Sequence, residues 1–239
     1  MLVIQTAHQK MPHLCTVSTI LCIETSGPVC SVAISTNGKT VAQAEVTEAF
    51  QHAAVLLPNI DDLLRTAEIE RSSLDAIAVS AGPGSYTGLR IGVSTAKGLC
   101  YSLDKPLIGL STLKVLAHKI ADEVDLDEGD FVCPMIDARR DEVFLSVCDA
   151  NFNILKDAQP VILDADTALT ESEGNIWVGG NGAPKATEIL KSNRIKDCGV
   201  RSTAASDMAV TAHYCYKEQN FVDTAYFEPL YTKAFYSGK

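Results

Sequence analysis

One glycine-rich segment of the chain has residue types that could do chemistry. Residues 80–92, SAGPGSYTGLRIG, join an apolar run at 76–81 to a predicted helix at about 88–103. Glycine allows positive φ and close approach of the backbone, and free N–H groups at a helix start can hold an anion. The candidate anion-binding loop consists of Gly82, Gly84, Ser85 and Thr87.

The same glycines also fit a tight structural turn. No Gly-Lys-Ser/Thr triplet follows at the spacing of a P-loop, and Gly88 comes one residue too late for Gly-x-Gly-x-x-Gly. The residue pattern therefore leaves the phosphate cradle open but favours the structural turn.

Small residues recur at four-residue spacing on the helix after the loop. Such a smooth face allows another helix to come close, and the preceding helix, predicted over 53–67, has apolar residues at i, i+3, i+4 and i+7. The spacing fits packing inside the subunit and a contact between subunits equally well. The candidate interface residues on the two helices are Ala53, Leu56, Leu57, Ile60, Leu64, Gly88, Arg90, Gly92 and Ala96.

The sequence contains none of the common patterns of a metal site or an activated nucleophile. No two of the five histidines lie three or four residues apart, none of the eight cysteines forms a Cys-x-x-Cys pair, and no Gly-x-Ser-x-Gly is present. We therefore predict no catalytic residue and no metal site. Cys22, Cys133 and Cys148 lie in apolar, strand-like runs, which predicts buried thiols in a reducing, cytoplasmic compartment.

Alternating strands and helices must position the glycine loop. Strands are predicted at 19–23, 29–35 and 40–46, with Asn37 and Gly38 as a hairpin turn because both positions favour positive φ. A helix at 53–67, a strand at 76–81, a helix at 88–103, a strand at 107–110 and a helix at 111–121 follow. Ser111 is the predicted N-cap of the last helix, and Pro58 predicts a kink in the first.

The same order of elements restarts after an acidic stretch at 122–130, which we interpret as a solvated linker rather than a metal site. Strands are predicted at 131–136, 142–148, 154–162 and 176–178, and helices near 165–169, 184–191 and 204–217. Three antiparallel strands followed by alternating helix and strand describe a ribonuclease H-like lobe. The predicted fold is α/β with two tandem lobes of this kind, as in actin, the sugar kinases and the heat-shock chaperone ATPases.

The domain prediction follows from that order of elements. It has an N-terminal extension at 1–18, a first lobe at 19–121, the linker at 122–130 and a second lobe at 131–239. The last helix of the second lobe is a candidate to pack back on the first lobe.

Two turns occupy the places where an active two-lobed ATPase binds phosphate and metal. The first carries Glu24 and two residues bulkier than glycine, and the second carries Arg139 and Arg140 after Asp137. This bulk opposes a surviving ATPase site. Two ordinary turns, with Asp137 accepting backbone N–H groups, are the simpler interpretation.

The charge of the chain limits its partners. The 239 residues include 20 basic and 30 acidic side chains, for a formal net charge of −10. Such a chain is poorly suited to hold nucleic-acid phosphates alone, so we expect a partner to hold any RNA. No apolar run reaches the ~18 residues of a membrane-spanning helix, and polar residues interrupt the apolar start of the chain, so no signal peptide is predicted.

Residues 80–92 also carry a resemblance. With flanking residues 78–79 and 96–99 they closely resemble the signature of the bacterial TsaB family, formerly YeaZ. Residues 20–26 (ILCIETS), 56–60 (LLPNI) and 137–144 (DARRDEVF) resemble its opening strand, its first helix and its second-lobe turn. Residues 229–233 (PLYTK) resemble its Pro-x-Tyr-x-Arg tail, with Lys233 in place of arginine.

The resemblance implies a role in making threonylcarbamoyladenosine beside the anticodon of tRNAs. It implies a non-catalytic subunit that pairs with a TsaD-type paralogue, which holds the metal and transfers the threonylcarbamoyl group, and that docks a TsaE-type ATPase. It also implies a homodimer in isolation through the first two helices. No cofactor is expected on the isolated chain, a nucleotide at the heterodimer seam is left open, and tRNA is contacted only through partners, in the cytoplasm and away from membranes.

Two other functions remain open at the level of sequence. A metalloprotease, the activity once attributed to relatives of this group, predicts bound metal and inhibition by chelators. A kinase-like enzyme of the same fold predicts tight binding of ATP with magnesium. For the interface, Gly92→Glu is predicted to weaken pairing while leaving the fold mostly intact.

Overall fold

Two five-stranded mixed sheets form the frame of the molecule. The computed structural model describes residues 17–46 and 52–230. The first half contains β1 (Thr19–Glu24), β2 (Cys30–Thr36), β3 (Lys39–Val46), α1 (His52–Thr66), β4 (Ala76–Gly82), α2 (Tyr86–Leu103), β5 (Leu107–Ser111) and α3 (Thr112–Asp122). The second half contains β6 (Phe131–Asp137), β7 (Glu142–Asp149), β8 (Ile154–Ile162), β9 (Ile176–Gly179), α4 (Ala183–Leu190), β10 (Ile195–Asp197) and α5 (Ala209–Lys217).

The strand order confirms the predicted fold class. The first sheet has the order β3-β2-β1-β4-β5 and the second the order β10-β9-β6-β7-β8. In each sheet the first three strands pair antiparallel and the later strands pair parallel. The chain is therefore built from two ribonuclease H-like lobes.

Helices cover both faces of the first sheet. One face packs against α1 and α2, around side chains such as Ile23, Leu56 and Val79. The other face packs against α3 and α5, with Ala212 and Cys215 of α5 beside Ile20 and Ile108. The helix closest to the end of the described chain thus completes the core of the first lobe.

Helix α3 is shared between the two sheets. Val115 lies in the core of the first sheet, whereas Leu116, Ala117 and Ile120 pack with Val132 of the second. Burial of apolar area on two sides stabilises the junction of the lobes.

The last described residues cross back over the first lobe. We call residues 221–230 the strap. Val222 N–H donates to the Leu107 carbonyl at 2.9 Å, and Leu230 N–H donates to the Ala81 carbonyl at 2.7 Å. The Lys97 ammonium holds the strap from α2, with 3.0 Å to each of the carbonyl oxygens of Ala225 and Phe227. The strap therefore lies along β5, an edge strand of the first sheet.

Strand β8 is the outer edge of the second sheet and is exposed along most of its length. Pro160 lies within it. Proline has no N–H, which lowers the tendency of an open edge to pair with another chain.

Several local predictions are confirmed. Asn37 and Gly38 have φ of 52° and 77° in the hairpin between β2 and β3. Ser111 caps α3 by accepting from Lys114 N–H, and Cys22, Cys133 and Cys148 are buried, free thiols. Burial raises the pKa of the Cys22 thiol to about 12. Helix α1 continues through Pro58, and its kink stays a prediction.

Other local predictions are wrong. Residues 165–169 form turns rather than a helix, because Asp164 and Thr167 hydrogen-bond each other and nearby backbone N–H groups, which competes with a helix. Strand β10 was not predicted. Residue Asp130 of the acidic stretch is buried rather than solvated, and it accepts from the Trp177 indole at 2.9 Å. Of the predicted extension at 1–18, residues 1–16 lie outside the described residues, and Ser18 is buried.

Candidate functional site

The glycine loop is interlocked with the turn after β1. An added Cβ at Gly84 would lie 2.6 Å from the Ser26 carbonyl oxygen, and one at Gly88 would overlap the Thr25 carbonyl. The Ser85 N–H donates to the Ser26 carbonyl at 2.7 Å. Glycine is therefore required at 84 and 88 because two backbone segments of the same chain approach closely.

This interlock argues against the predicted anion-binding loop. Of the N–H groups that an anion would need, that of Ser85 is bonded to Ser26 and that of Gly88 is bonded to Ser85 Oγ at 3.3 Å. Gly82 has φ of 101° and lies against Leu230 of the strap, and Thr87 is exposed on α2. The structural-turn interpretation accounts for the loop without a ligand.

A buried carboxylate fills the first turn. Glu24 is fully buried, and its Oε1 accepts from Ser26 N–H at 2.6 Å and Ser80 Oγ at 2.8 Å. Its Oε2 accepts from Thr203 Oγ1 at 3.0 Å. Burial raises the pKa of Glu24, and the hydrogen bonds lower it by less. The turn where a two-lobed ATPase binds phosphate thus holds an acid group of the chain itself.

The second turn is closed by its own side chains, as the simpler interpretation predicted. Asp137 Oδ1 accepts from Arg139 N–H at 2.5 Å and from Lys185 Nζ at 2.7 Å. Desolvation opposes the ionisation of Asp137, but the Lys185 ammonium and the Arg139 N–H outweigh it and lower its pKa. Asp137 therefore stabilises the turn as a hydrogen-bonded anion.

A small cavity lies between the lobes. We call it the interlobe cavity; it has a volume of about 30 Å³, whereas pockets for nucleotide-sized ligands start at roughly 300 Å³. Its walls include Ser26 and Thr112 from the first lobe and Asn181 and Arg201 from the second half of the chain. Among residues 17–46 and 52–230, no group of three or more His, Cys, Asp or Glu side chains could hold a metal ion.

Most residues of the predicted interface are buried within their own chain. Leu56, Ile60, Leu64 and Ala96 belong to the core under the first sheet. Gly88 and Gly92 face Thr25, so the small-residue face packs inside the subunit. For these six residues the interface prediction is wrong, because their surface is already covered.

The burial of Gly92 also corrects the predicted effect of Gly92→Glu. An added Cβ there would overlap Thr25 Oγ1. A glutamate side chain would therefore disturb the fold itself rather than only an association.

The other predicted interface residues lie on the surface. Ala53 and Leu57 of α1 and Arg90 of α2 are exposed, and the two helices are neighbours on the same face of the first sheet. We define the outer α1–α2 face by Ala53, Leu57, Arg90, Ser94 and Tyr101. Leu57 is 49% exposed and Tyr101 89% exposed, so this face presents large apolar side chains to solvent. Whether it is an interface stays a prediction.

A groove that the sequence did not reveal borders this face. It has a volume of about 330 Å³ and lies between α2 and the strap, lined by Tyr86, Arg90, Lys97 and Phe227 among others. Arg90 donates to the Tyr86 hydroxyl at 2.7 Å. Residues 130 positions apart in the chain form its two walls, as the bond from Lys97 to Phe227 shows, and no local pattern could indicate this.

The fold and the site together define a class of protein. It is a chain of two ribonuclease H-like lobes, with the turns after β1 and β6 closed by its own side chains and a residual cavity between the lobes. Comparison with known proteins narrows the class. Residues 45–221, more than half of the chain, match the family model described as "TsaD: tRNA N6-adenosine threonylcarbamoyltransferase".

The individual relatives that follow are all TsaB or YeaZ proteins. The "tRNA threonylcarbamoyladenosine biosynthesis protein TsaB" of Buchnera aphidicola subsp. Acyrthosiphon pisum is 38% identical over 190 residues, 80% of this chain and 75% of that protein. The protein of the same name from Escherichia coli is 28% identical over 221 residues, 90% of this chain and 94% of its own. The structure of YeaZ from Pseudomonas aeruginosa is 26% identical, with a TM-score of 0.75 over 90% of this chain and 99% of its own. The chain belongs to the TsaB (YeaZ) family.

Proposed function

We propose that this chain is a non-catalytic subunit that supports threonylcarbamoyl transfer to tRNA by pairing with a TsaD-type paralogue through the outer α1–α2 face. Family membership carries the coarser statement, a role in tRNA threonylcarbamoyladenosine biosynthesis. The finer statement adds that this subunit is not catalytic, that its partner is a TsaD-type paralogue, and that the two pair through the outer α1–α2 face.

The single observation that carries the proposal is the closed first turn. Glu24 and its three donors occupy the place where a nucleotide phosphate would bind, and the interlobe cavity has about 30 Å³ of free space. A two-lobed chain in this state is suited to offer a surface rather than a reaction centre.

The outer α1–α2 face is the surface we assign to the partner. It combines exposed Leu57 and Tyr101 with the Arg90 guanidinium, and tyrosine and arginine are enriched among the residues that dominate binding energy. A homodimer of the isolated chain would use the same face, so that the paralogue and a second copy compete for it.

The remaining partners follow from this assignment. The paralogue holds the metal. It also contacts tRNA, because the net charge of −10 makes this chain a poor holder of RNA phosphates. A TsaE-type ATPase docks on the pair. We expect no cofactor on the isolated chain, and a nucleotide at the seam would lie next to the groove between α2 and the strap.

Among the described residues, no helix combines the length and apolar composition needed to cross a bilayer. Within the described residues, no cluster of metal-binding side chains supports the metalloprotease alternative. No observation supports the kinase alternative.

Reconstitution tests the function. We expect threonylcarbamoyl transfer by the TsaD-type, TsaE-type and precursor-forming components to collapse when this chain is left out. Normal transfer in its absence would remove the proposal, and chelator-sensitive proteolysis or tight binding of ATP with magnesium by the isolated chain would replace it with one of the alternatives.

A matched pair of variants tests the surface. Leu57→Glu places a charge on the outer α1–α2 face, and Val210→Glu places the same charge at an exposed position of α5, on the opposite face of the first sheet. We expect Leu57→Glu to weaken binding to the paralogue at least tenfold, because it desolvates a charge at the contact, and Val210→Glu to leave binding unchanged. Equal effects in a titration calorimeter would show that the face is misplaced.

A further inference from the structure

We propose that residues 231–239, which we call the tail, dock on an exposed apolar patch of the second lobe and so join the two lobes on a second side. The tail follows the strap and lies outside the described residues. We call the docking surface the β7–β8 patch and define it by Phe144, Pro160 and Ile162. It belongs to the second lobe, whereas the outer α1–α2 face belongs to the first, so this inference goes beyond pairing with the paralogue.

The β7–β8 patch is a part of the second sheet that presents apolar side chains to solvent. Phe144 of β7 lies opposite Pro160 of β8, and Glu142, two residues before Phe144, lies opposite Ile162. Cross-strand partners and residues two apart share one face of a sheet, so these side chains lie together. Ile162 is 71% exposed, Pro160 is exposed and Phe144 is half-buried. Contiguous exposed apolar surface of this kind is typical of an interaction site.

The patch is continuous with the interlobe cavity. Phe144 lies opposite Ile136 of β6 on its other side, and Ile136 lines the cavity together with Ser26 of the first lobe. Two strand spacings separate β6 from β8, which is about 10 Å. The row formed by Ile136, Phe144 and Pro160 therefore leads from the cavity to the outer edge of the second sheet.

The strap brings the start of the tail to the opposite side of this cavity. Leu230, the last described residue, donates to the Ala81 carbonyl and lies against Gly82. Gly84 of the same loop packs on Ser26, which lines the cavity. The nine residues after Leu230 extend over as much as about 30 Å, roughly three times the distance from β6 to β8. The tail therefore has the length to cross the cavity and reach the patch.

The composition of the tail complements the patch and its surroundings. The tail, YTKAFYSGK, contains three aromatic residues, two lysines and no acidic residue. Aromatic side chains bury large apolar areas, which suits the patch. Residues 157–173, from the centre of β8 through the following loop, contain five carboxylates and no lysine or arginine. The turn before β7 carries exposed Arg139 and Arg140, so the attraction of the basic tail is toward β8 and the loop after it.

The groove between α2 and the strap is the other surface near the start of the tail, and its charge argues against it. Its walls carry Arg90 and Lys97 and a single acidic residue, Glu228. Like charges brought together oppose association, so this groove is a poor site for a segment with two lysines and no acid. We therefore assign the tail to the β7–β8 patch.

Photo-cross-linking of the full chain locates the tail directly. With p-benzoyl-phenylalanine in place of Phe235, we expect a cross-link within one chain, which mass spectrometry finds in the peptides that contain Phe144 or Ile162. A cross-link on α2 would place the tail in the groove, and a cross-linked dimer would place it on a second copy of the chain. Either result, or the absence of any cross-link, would overturn the proposal.

Trypsin gives an independent measure because Lys233 is a cleavage site within the tail. If the tail must leave the patch before cleavage, the rate of cleavage after Lys233 follows the fraction of chains with the tail released. Ile162→Asn removes the most exposed apolar side chain of the patch without adding a charge. It should speed cleavage after Lys233 about tenfold, because the docked tail would otherwise bury that side chain.

Ile154→Asn is the matched control. Ile154 is 57% exposed and lies at the other end of the same strand, eight residues from Ile162. This variant should leave the rate of cleavage after Lys233 unchanged. An equal acceleration by both variants would indicate a general loosening of β8 rather than a docked tail, and would overturn the proposal.

Two further results would also overturn it. Equal rates of cleavage in the wild type and Ile162→Asn would leave the patch to another occupant. Protection of Lys233 that rises with protein concentration would assign the docked tail to a second copy. None of these results bears on threonylcarbamoyl transfer or on the outer α1–α2 face, so the two proposals fail separately.

Discussion

Thr25 is fully buried at the junction of the glycine loop with the first turn. Its carbonyl faces Gly88, its hydroxyl faces Gly92, and that hydroxyl has no hydrogen-bond partner within the described ranges. Helix α2 can sit this close to the end of β1 only because both positions lack a side chain. Close packing of α2 against Thr25 therefore explains glycine at both 88 and 92.

Gly92→Ala should destabilise the fold by about 1–3 kcal/mol, as expected for overpacking in a close contact. Thr25→Ala should restore most of this loss in the double variant, because the clash involves Thr25 Oγ1. The measurement is a double-mutant cycle by urea unfolding.

Gly98→Ala is the control for this cycle. Gly98 lies in the same helix, and an added Cβ there meets nothing within 4 Å. It should stabilise α2 by roughly 0.5–1 kcal/mol, since alanine is the better helix former. If both glycine substitutions behaved alike, close packing against Thr25 would not be the reason for glycine at 92.

Glu24 should make stability depend on pH in an unusual direction. Because burial raises its pKa in the folded state above the ordinary value of 4.5, the folded chain holds the proton more tightly than the unfolded chain. The contribution of Glu24 to the free energy of unfolding is complete below pH 4.5 and is lost as pH rises through the raised pKa.

The isosteric variant Glu24→Gln isolates this effect. The stability of the wild type relative to Glu24→Gln should fall steadily as pH rises above about 4.5, measured by urea unfolding of both chains at several pH values. Other titrating groups are common to both chains and cancel in the difference. A difference that stays constant with pH would show that Glu24 titrates normally.

At the scale of elements, local periodicity predicted most helices and strands of the first lobe to within two residues. It did so because each element there shows a clear apolar face or a clear turn signal such as Asn37-Gly38. It failed where the structure depends on distant contacts. The strap is held by Leu107 and Lys97, far away in sequence. The partner of the glycine loop lies 59 residues upstream, as the bond from Ser85 to Ser26 shows.

Lys97 should be the residue that fastens the strap to α2. Lys97→Met keeps the aliphatic stem and removes the donors to Ala225 and Phe227. We expect amide exchange of Val222 and Leu230 to become about tenfold faster, the effect of losing roughly 1.4 kcal/mol of local stability. The measurement is hydrogen exchange by mass spectrometry on the folded chain.

Lys191→Met, at the exposed end of α4, is the control and should leave strap exchange unchanged. Unaltered exchange in Lys97→Met would show that Phe227 packing against Gly109 holds the strap without the lysine.

At the scale of the whole molecule, α3 joins the lobes by packing on both sheets. Ile120 contributes to the second-sheet side of this contact and lies next to Gly179 of β9. The two lobes should therefore unfold as one cooperative unit, although each has its own sheet.

Trp177, the single tryptophan, reports on the second lobe. Its fluorescence and the far-ultraviolet circular dichroism of the whole chain should give coincident urea transitions. Ile120→Ala should move both transitions to lower urea concentration by the same amount, with a loss of about 2–5 kcal/mol in the free energy of unfolding. Two separated transitions, in the wild type or the variant, would show that the lobes are independent.

The placement of α5 and the strap on the first lobe has a consequence for synthesis. The ribosome makes β1 to β5 early, yet one face of that sheet is sealed by Ala212 and Cys215, and its β5 edge is bordered by Val222. The nascent first lobe must therefore wait, with apolar surface uncovered, until almost the entire chain has emerged. Premature termination before α5 would release a chain in which neither half is finished, and such products would be natural clients of chaperones and proteases.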